Sequence, residues 1–190
     1  TAQAPLRPVR LGTFDAVLER SAGGVIHLRT KLVLAPYHNN LSEPLDHWAK
    51  AAPERVFLGQ RDAEGNWRTL SYAQVLDHVK RIGAALLRRS LSADKPIAII
   101  SGNDIEHALL GLAAIYVGIP YAPISPAYSL MSTDFGKLRA IVGLLTPGLV
   151  FANDGSAFAR AVAAALPGDA ALVLSSRAGA DRAPGRPPGG

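Results

Sequence analysis

An unbroken aliphatic run, Ile97-Ala98-Ile99-Ile100, constrains the fold of this chain more than any other feature. A run without alternating polar residues is typical of a strand that is covered on both faces, as in a parallel sheet. The next stretch, "SGNDIEHALLGLAAIYVG", is apolar almost all round and ends at Gly118, a residue type typical of the position just past a helix. "IPYAPI" then predicts a short strand, and its prolines place that strand at a sheet edge or a bulge.

The same alternation continues toward the C-terminal part of the chain. A helix is predicted over 134–145, a strand at "GLVFAND", an alanine-rich helix over 156–166 and a last strand at "AALVLSS". Strands that alternate with helices form parallel βαβ units with right-handed crossovers. The sequence therefore predicts an α/β fold with a mostly parallel sheet flanked by helices.

Two β-hairpins are predicted before this sheet. The first lies around Gly23-Gly24, between two extended pieces of partly alternating pattern. The second joins residues 56–58 to residues 67–69 through a turn at 63–66, where Gly65 can supply a positive φ.

Two helices are also predicted in this N-terminal half. Ser42 is a candidate cap for a helix that tolerates Pro44 in its first turn and stops at Pro53. Ser71 and Gln74 form a capping box for a longer helix. The predicted buried face of that helix carries Tyr72, Val75, Leu76, Val79, Ile82, Leu86 and Leu87.

The predicted domain organisation has three segments. We expect a loose arm over residues 1–10, a partial N-terminal domain over 11–176 and a disordered tail over 177–190. The end of the chain, "AGADRAPGRPPGG", has no large apolar residue with which to join a core.

Charge and composition disfavour several classes of partner. The net charge of +5 comes from 20 basic and 15 acidic residues, but the only dense basic run is Arg88-Arg89 at a predicted helix end. There it can interact with the last carbonyls of the helix, so we expect no nucleic-acid partner. The longest apolar run, residues 108–119, is too short to cross a bilayer, so no membrane partner is expected. The absence of Cys excludes disulfides and is compatible with the cytoplasmic location that we expect.

Phosphate-binding and catalytic motifs are not found in the sequence. "SGNDIEH" has one glycine where a dinucleotide fingerprint needs three, and Met131 stands where the first glycine of a P-loop ending at Gly136-Lys137 should be. Asn103 and Glu106 are therefore predicted to be helix caps rather than ligands. Ser101, Ser125 and Ser129 are predicted to be turn residues.

The titratable residues leave some alternatives open. The five histidines lack a metal-binding spacing, although His107, in the first turn of the buried helix, could face a cleft. Four acidic residues stand at helix starts, where a carboxylate favours the helix dipole, and a catalytic pair among them stays open: Asp104, Glu106, Asp134 and Asp154. We predict no catalytic, cofactor-binding or metal-binding residue.

Three segments resemble the N-terminal part of the adenylate-forming acyl- and aryl-CoA synthetases. They are "LSEPLDHWAKAAPERVFLGQRD", "WRTLSYAQVLDHVKRIGAALL" and "KPIAIISGNDIEHALLGLAAIYVGIPYAPISPAYS". The resemblance covers about residues 10–161. The details "APYHNNLSEPLDHWA" and "PISPAYSLMSTDFGKLRAIVGLLTPGLVFA" are most similar to feruloyl-CoA synthase and its relatives.

The resemblance implies a two-step ligase reaction in a complete enzyme that uses ATP, Mg²⁺ and CoA. An aromatic carboxylic acid of the hydroxycinnamate type attacks the α-phosphate of ATP, and the CoA thiol then displaces AMP from the acyl-adenylate. The family's Ser/Thr/Gly-rich phosphate loop, its Tyr-Gly-x-Thr-Glu segment, its ribose-binding Asp and its C-terminal lysine match no position here. We therefore expect no cofactor in this chain and no activity from it alone.

The remaining expectations concern the substrate and the partners. His107, Pro123, Ser125 and Tyr128 are predicted to support the substrate-side wall of the complete enzyme. The expected partner is the remainder of the synthetase, or a second copy that binds through exposed apolar surface. The alternative is a short non-catalytic binding module on the same scaffold.

Overall fold

A computed structural model describes residues 15–62 and 64–174. The predicted arm over 1–10 and tail over 177–190 lie outside the described residues. The described residues divide into two compact units, with the boundary between His38 and Asn39.

The first unit contains an antiparallel hairpin of β1 (Ala16–Arg20) and β2 (Ile26–Thr30). The connecting turn includes Gly23 and Gly24 with φ values of 94° and 80°, which an L-residue with a Cβ rarely adopts. Leu18 lies opposite Leu28, and Glu19 forms an ion pair with Arg29. The first predicted hairpin is therefore confirmed.

The second unit begins with helix α1 (Glu43–Ala51), and here the predicted cap was wrong. Ser42 has helical dihedrals, φ −85° and ψ −24°, and its side chain makes no cap hydrogen bond. Instead Asn40 Oδ1 accepts hydrogen bonds from the backbone N–H groups of Ser42 (2.9 Å) and Glu43 (3.0 Å). A side chain two residues earlier thus does the capping, because the backbone has already turned helical at Ser42.

The second hairpin and the capping box are confirmed. Strand β3 (Val56–Arg61) pairs antiparallel with β4 (Trp67–Ser71), and helix α2 (Tyr72–Leu87) follows at once. Gln74 N–H donates to Ser71 Oγ (3.4 Å), and Ser71 N–H donates to Gln74 Oε1 (2.8 Å).

The predicted buried face of α2 was wrong at its end. Val75, Val79 and Leu86 are buried, but Leu87 is 65% exposed. Leu87 lies about 100° around the helix from Leu86. It therefore leaves the stripe that packs on the rest of the unit.

The main sheet has four parallel strands in the order β6-β5-β7-β8. The strands are β5 (Ile97–Ile99), β6 (Tyr121–Pro123), β7 (Leu149–Ala152) and β8 (Ala171–Leu174). Helix α3 (Ile105–Val117) joins β5 to β6. Helices α4 (Ala127–Leu130) and α5 (Gly136–Leu145) lead to β7, and α6 (Gly155–Ala165) leads to β8.

This arrangement confirms the α/β fold, and the proline-containing β6 lies at a sheet edge as predicted. The short helix α4 was not predicted, and Ser129 lies in it rather than in a turn. Its first residues follow Pro126, which has a helical φ of −57°.

The core has two layers, one on each face of the sheet. Ile97 and Ile99 pack with α2 and α3, whereas Ala98 and Ile100 pack with α5 and α6. All four residues are 0% exposed. Successive side chains of a strand point to opposite faces, so two covered faces require an aliphatic residue at every position.

In the described ranges no helix combines the length and the apolarity that crossing a bilayer requires.

Candidate functional site

The strand order reverses between β5 and β7, and this point has the geometry of a ligand crevice. From β5 the chain crosses to β6 on one side, and from β7 it crosses to β8 on the other. In open α/β sheets, ligands bind outside the carboxyl ends of the strands at such a switch point. Residues 101–104 follow β5 there, and Asn153 and Asp154 follow β7.

Asp104 connects the two loops of this crevice. Its Oδ1 accepts the backbone N–H of His107 at 2.7 Å, and its Oδ2 accepts Asn153 Nδ2 at 2.6 Å. The residue has the extended dihedrals of a helix cap, φ −137° and ψ 169°. The carboxyl ends of β5 and β7 are thereby fixed to each other.

The predicted cap of α3 was therefore wrong by one position. Asn103 is exposed, and Asp104 occupies the capping position. With the cap at Asp104, the residue three positions later is His107 and not Glu106. Glu106 is therefore not placed to accept the backbone N–H of the cap, as a capping box requires. Glu106 instead forms an ion pair with Arg68 Nη1 at 2.6 Å.

The helix starts at this crevice do not fit a triphosphate. The N–H of Ile105 donates to Gln60 Oε1 at 3.1 Å, and that of His107 donates to Asp104. At the start of α6, Asp154 Oδ1 accepts the N–H groups of Ser156 and Ala157. The N–H groups of His107, Ser156 and Ala157 thus already donate to carboxylates, which would repel the charge of an anion, and that of Ile105 donates to an amide oxygen.

Among residues 15–62 and 64–174 there is also no group of three or more His, Cys, Asp or Glu side chains placed to hold a metal ion. Two buried hydroxyls, those of Ser101 and Ser129, have no hydrogen-bond partner within the described part of the chain.

Burial raises the pKa of Asp104 above its ordinary value of 3.8, and the hydrogen bond from His107 N–H opposes that shift. Asp154 shows the opposite behaviour, because the hydrogen bond from Ala157 N–H lowers the pKa of its exposed carboxyl. The two caps therefore respond to pH with opposite signs.

We expect Asp104→Asn to remove a contribution to the free energy of unfolding that becomes smaller as the pH rises. The folded chain keeps a proton on Asp104 at pH values where the unfolded chain has released it. This contribution is complete below 3.8 and is lost as the pH rises through the raised pKa. Urea unfolding from about pH 3 to 7 should show the free energy of unfolding of the unsubstituted chain falling relative to that of the variant.

Asp154→Asn is the matched control for this pH dependence. The stabilisation by Asp154 is present above 3.8 and is lost as the pH falls through the lowered pKa. The unsubstituted chain should therefore gain stability over this variant as the pH rises. Slopes of the same sign for the two variants would contradict the assignment of Asp104 as a half-buried cap.

A cavity of about 510 Å³ adjoins the crevice, between β3, the first half of α3 and Tyr121 of β6. A Cβ at Gly111 would stand 3.1 Å from the Tyr121 ring, so a glycine is what allows this ring to lie against α3. The lining residues are Phe57, Leu58, Gly59, Gln60, Asn103, Asp104, Ile105, His107, Ala108, Gly111, Leu112 and Tyr121.

Of the four residues predicted to line a substrate-side wall, His107 lines this cavity, and its Nδ1 lies 2.9 Å from the carbonyl oxygen of Gly102. Pro123 and Ser125 are exposed at the end of β6, outside the lining. Tyr128 is partly buried in α4, with Lys137 Nζ 5.4 Å from its ring centroid. The structure thus does not bring the four residues together around this cavity, and their role in a wall stays a prediction.

Sequence reasoning did not identify Gln60 or Tyr121 as site residues. Gln60 lies on a hairpin strand 45 residues before its partner Ile105, and no local pattern marks such a contact. For Tyr121 the available signal was Gly111, since a glycine inside a buried helix indicates a close approach.

The comparisons with known proteins concern the family and the fold. The model of the AMP-binding enzyme family matches residues 45–181. None of the curated proteins compared with the chain matches it.

Several solved structures share the fold. The fatty acyl-adenylate ligase from L. pneumophila, in complex with acyl adenylate and pyrophosphate, is 19% identical, with a TM-score of 0.57 over 72% of this chain and 23% of that one. VinN in complex with L-aspartate is 22% identical, with a TM-score of 0.58 over 73% of this chain and 35% of that one. NpsA-ThdA, an artificially fused adenylation–PCP di-domain from Klebsiella oxytoca, is 18% identical, with a TM-score of 0.53 over 72% of this chain and 23% of that one.

The chain therefore spans a quarter to a third of the length of these structures. The family match extends over well more than half of the chain and includes all four strands of the parallel sheet. The chain belongs to the AMP-binding enzyme family.

Proposed function

We propose that the chain is the N-terminal part of an adenylate-forming acid–CoA ligase. In the complete enzyme, a carboxylate attacks the α-phosphate of ATP to give an acyl-adenylate and pyrophosphate, and the thiol of CoA then displaces AMP. The observation that carries the proposal is the family match over residues 45–181, on a chain whose sheet has the same fold as adenylate-forming enzymes.

In this proposal the chain supplies scaffold and does not hold ATP by itself. The occupied helix starts at Asp104 and Asp154 support this role, because an enzyme must place N–H groups and cations where a triphosphate's charge lies. Residues that grip the phosphates and Mg²⁺ would then belong to another part of the enzyme. The 190-residue chain alone would be inactive.

The proposed acid is aromatic, of the hydroxycinnamate type. Its support is the resemblance of "APYHNNLSEPLDHWA" and the "PISPAYS" segment to feruloyl-CoA synthases. Neighbouring structures name other ligands, an acyl adenylate and L-aspartate, at identities of 19% and 22%. The acid therefore has to be decided by a direct comparison of substrates.

The remainder of the enzyme is the proposed partner, and an apolar groove supports it. This groove, of about 300 Å³, lies between α2, α3 and the sheet face at β7 and β8. Leu109, Leu110 and Phe151 are among the residues that line it, and Arg89 and Glu106 are the charged residues of its lining. Such a groove suits an apolar segment better than solvent.

ATP–pyrophosphate exchange tests the function. We expect the 190-residue chain to show no acid-dependent exchange with ATP and Mg²⁺. A longer chain encoded by the same transcript should catalyse exchange, with ferulate preferred over octanoate and L-aspartate. Exchange by the short chain would contradict its inactivity, and preference for octanoate or aspartate would contradict the aromatic acid.

The alternative function, a short binding module, has its own readout. Trp48 contacts Tyr72, with ring centroids 6.1 Å apart, and Tyr72 stacks on Phe57 at 4.5 Å. Tryptophan fluorescence can therefore report a ligand that binds next to this ring stack. Saturable quenching by ferulate, together with no exchange activity in the longer chain, would favour the binding module over the ligase.

A further inference from the structure

The 510 Å³ cavity beside α3 has a charge that selects against anions. Asp104 contributes a carboxylate to it, and none of its lining residues, all within the described part of the chain, is Lys or Arg. A carboxylate or phosphate ligand would meet a like charge without a compensating cation. A neutral molecule is therefore the better occupant, and the volume lies within the range of small-molecule sites, about 300–1,000 Å³.

Two aromatic rings form walls of fixed orientation. Tyr121 lies against the bare Cα of Gly111, where a Cβ would be 3.1 Å from the ring. Phe57 is stacked on Tyr72 with an interplanar angle of 10°. Rings held in this way offer flat apolar surface at little cost in side-chain entropy, which favours an aromatic ligand.

His107 supplies a hydrogen-bonding group at the cavity. The Gly102 carbonyl can only accept a hydrogen bond, so the nitrogen 2.9 Å from it, Nδ1, carries the proton. The neutral ring then has Nε2 as an acceptor. Two other acceptors of the lining already have donors, because Gln60 Oε1 accepts the N–H of Ile105 and both oxygens of Asp104 accept hydrogen bonds.

We propose that this cavity binds a neutral phenol, whose ring packs between Tyr121 and Phe57 and whose O–H donates to His107 Nε2. The site needs no ATP and no other part of an enzyme. The proposal is thus independent of the ligase function.

Calorimetric titration at about pH 8 tests it. The probes are 2-methoxyphenol, 1,2-dimethoxybenzene, which lacks the O–H donor, and 2-methoxybenzoate, which has a carboxylate in place of the hydroxyl. We expect 2-methoxyphenol to bind saturably and the benzoate not to bind. 1,2-Dimethoxybenzene should bind about tenfold more weakly than 2-methoxyphenol, because it loses one hydrogen bond.

Substitutions at His107 assign the donor contact. His107→Phe should weaken the binding of 2-methoxyphenol by about tenfold and leave the binding of 1,2-dimethoxybenzene unchanged, because the substitution removes an acceptor and keeps a ring. His107→Gln, whose amide oxygen can accept, should restore part of the difference. His78→Phe, on α2 outside the lining, is the matched control and should leave every affinity unchanged.

A second variant tests the walls without changing His107. Gly111→Ala should weaken the binding of 2-methoxyphenol and of 1,2-dimethoxybenzene by the same factor, since the added Cβ displaces the Tyr121 ring. The proposal is overturned if 2-methoxyphenol does not saturate the unsubstituted chain, if the two neutral probes bind equally, or if His107→Phe leaves 2-methoxyphenol binding unchanged.

Discussion

Leu138→Ala is expected to lower the free energy of unfolding by about 2 to 5 kcal/mol. Leu138 is 0% exposed on α5, in the core layer that contains Ile100 and Val150. Truncation removes apolar surface that is buried on folding and leaves a cavity under the sheet. The loss is large because the side chains around it, on β5, β7 and α6, belong to rigid elements that can only partly close the space.

Leu144→Ala is the matched control, with the same substitution on the same helix. Leu144 is 84% exposed, so its truncation should change the free energy of unfolding by no more than about 0.5 kcal/mol. Urea unfolding followed by far-UV circular dichroism measures both variants. Equal losses in the two would mean that α5 does not pack on the sheet through the face described here.

Asp104→Ala is expected to destabilise the chain by about 1 to 2 kcal/mol. It removes the cap of α3 and leaves the N–H of His107 without its acceptor. It also removes one hydrogen bond of Asn153, which joins the ends of β5 and β7. Relief from burying a carboxylate partly offsets these losses, because burial is the largest cause of the raised pKa of Asp104.

Asn103→Ala tests the same helix start one residue earlier. Asn103 has as good a capping side chain as Asp104, but it is exposed and outside the cap position. Its truncation should change the free energy of unfolding by no more than about 0.5 kcal/mol in the same measurement. A larger loss from Asn103→Ala than from Asp104→Ala would return the cap to the residue that the sequence favoured.

The predictions that succeeded rest on local physics. A strand covered on both faces needs aliphatic residues throughout, which Ile97–Ile99 supplies, and a proline cannot occupy a central strand, which placed Tyr121–Pro123 at an edge. The capping box of Ser71 and Gln74 spans four residues and needs no partner elsewhere. These signals depend on neighbours in sequence, so the sequence contains them completely.

The candidate site depends on contacts between distant residues. Asn153 reaches Asp104 across 49 positions, and Gln60 reaches Ile105 across 45. Asn103 and Asp104 are equivalent as caps by residue type, and the backbone leaving β5 decides between them. His107 could be predicted to face a cleft from its place in the first turn of α3. The residues that share its cavity required the three-dimensional fold.

The two edges of the sheet, β6 and β8, differ in how well they can pair with a further strand. Ile97 N–H donates to the carbonyl of Pro120, and Ile124 N–H donates to that of Ile99, so the even-numbered residues of this segment face β5. Tyr121 and Pro123 then present their backbones outward, and Pro123 has no N–H to offer. Another strand docking there would lack half of the donors it needs, whereas β8 at the opposite edge contains no proline. Within the described residues, the β8 edge is therefore the better template for an additional strand.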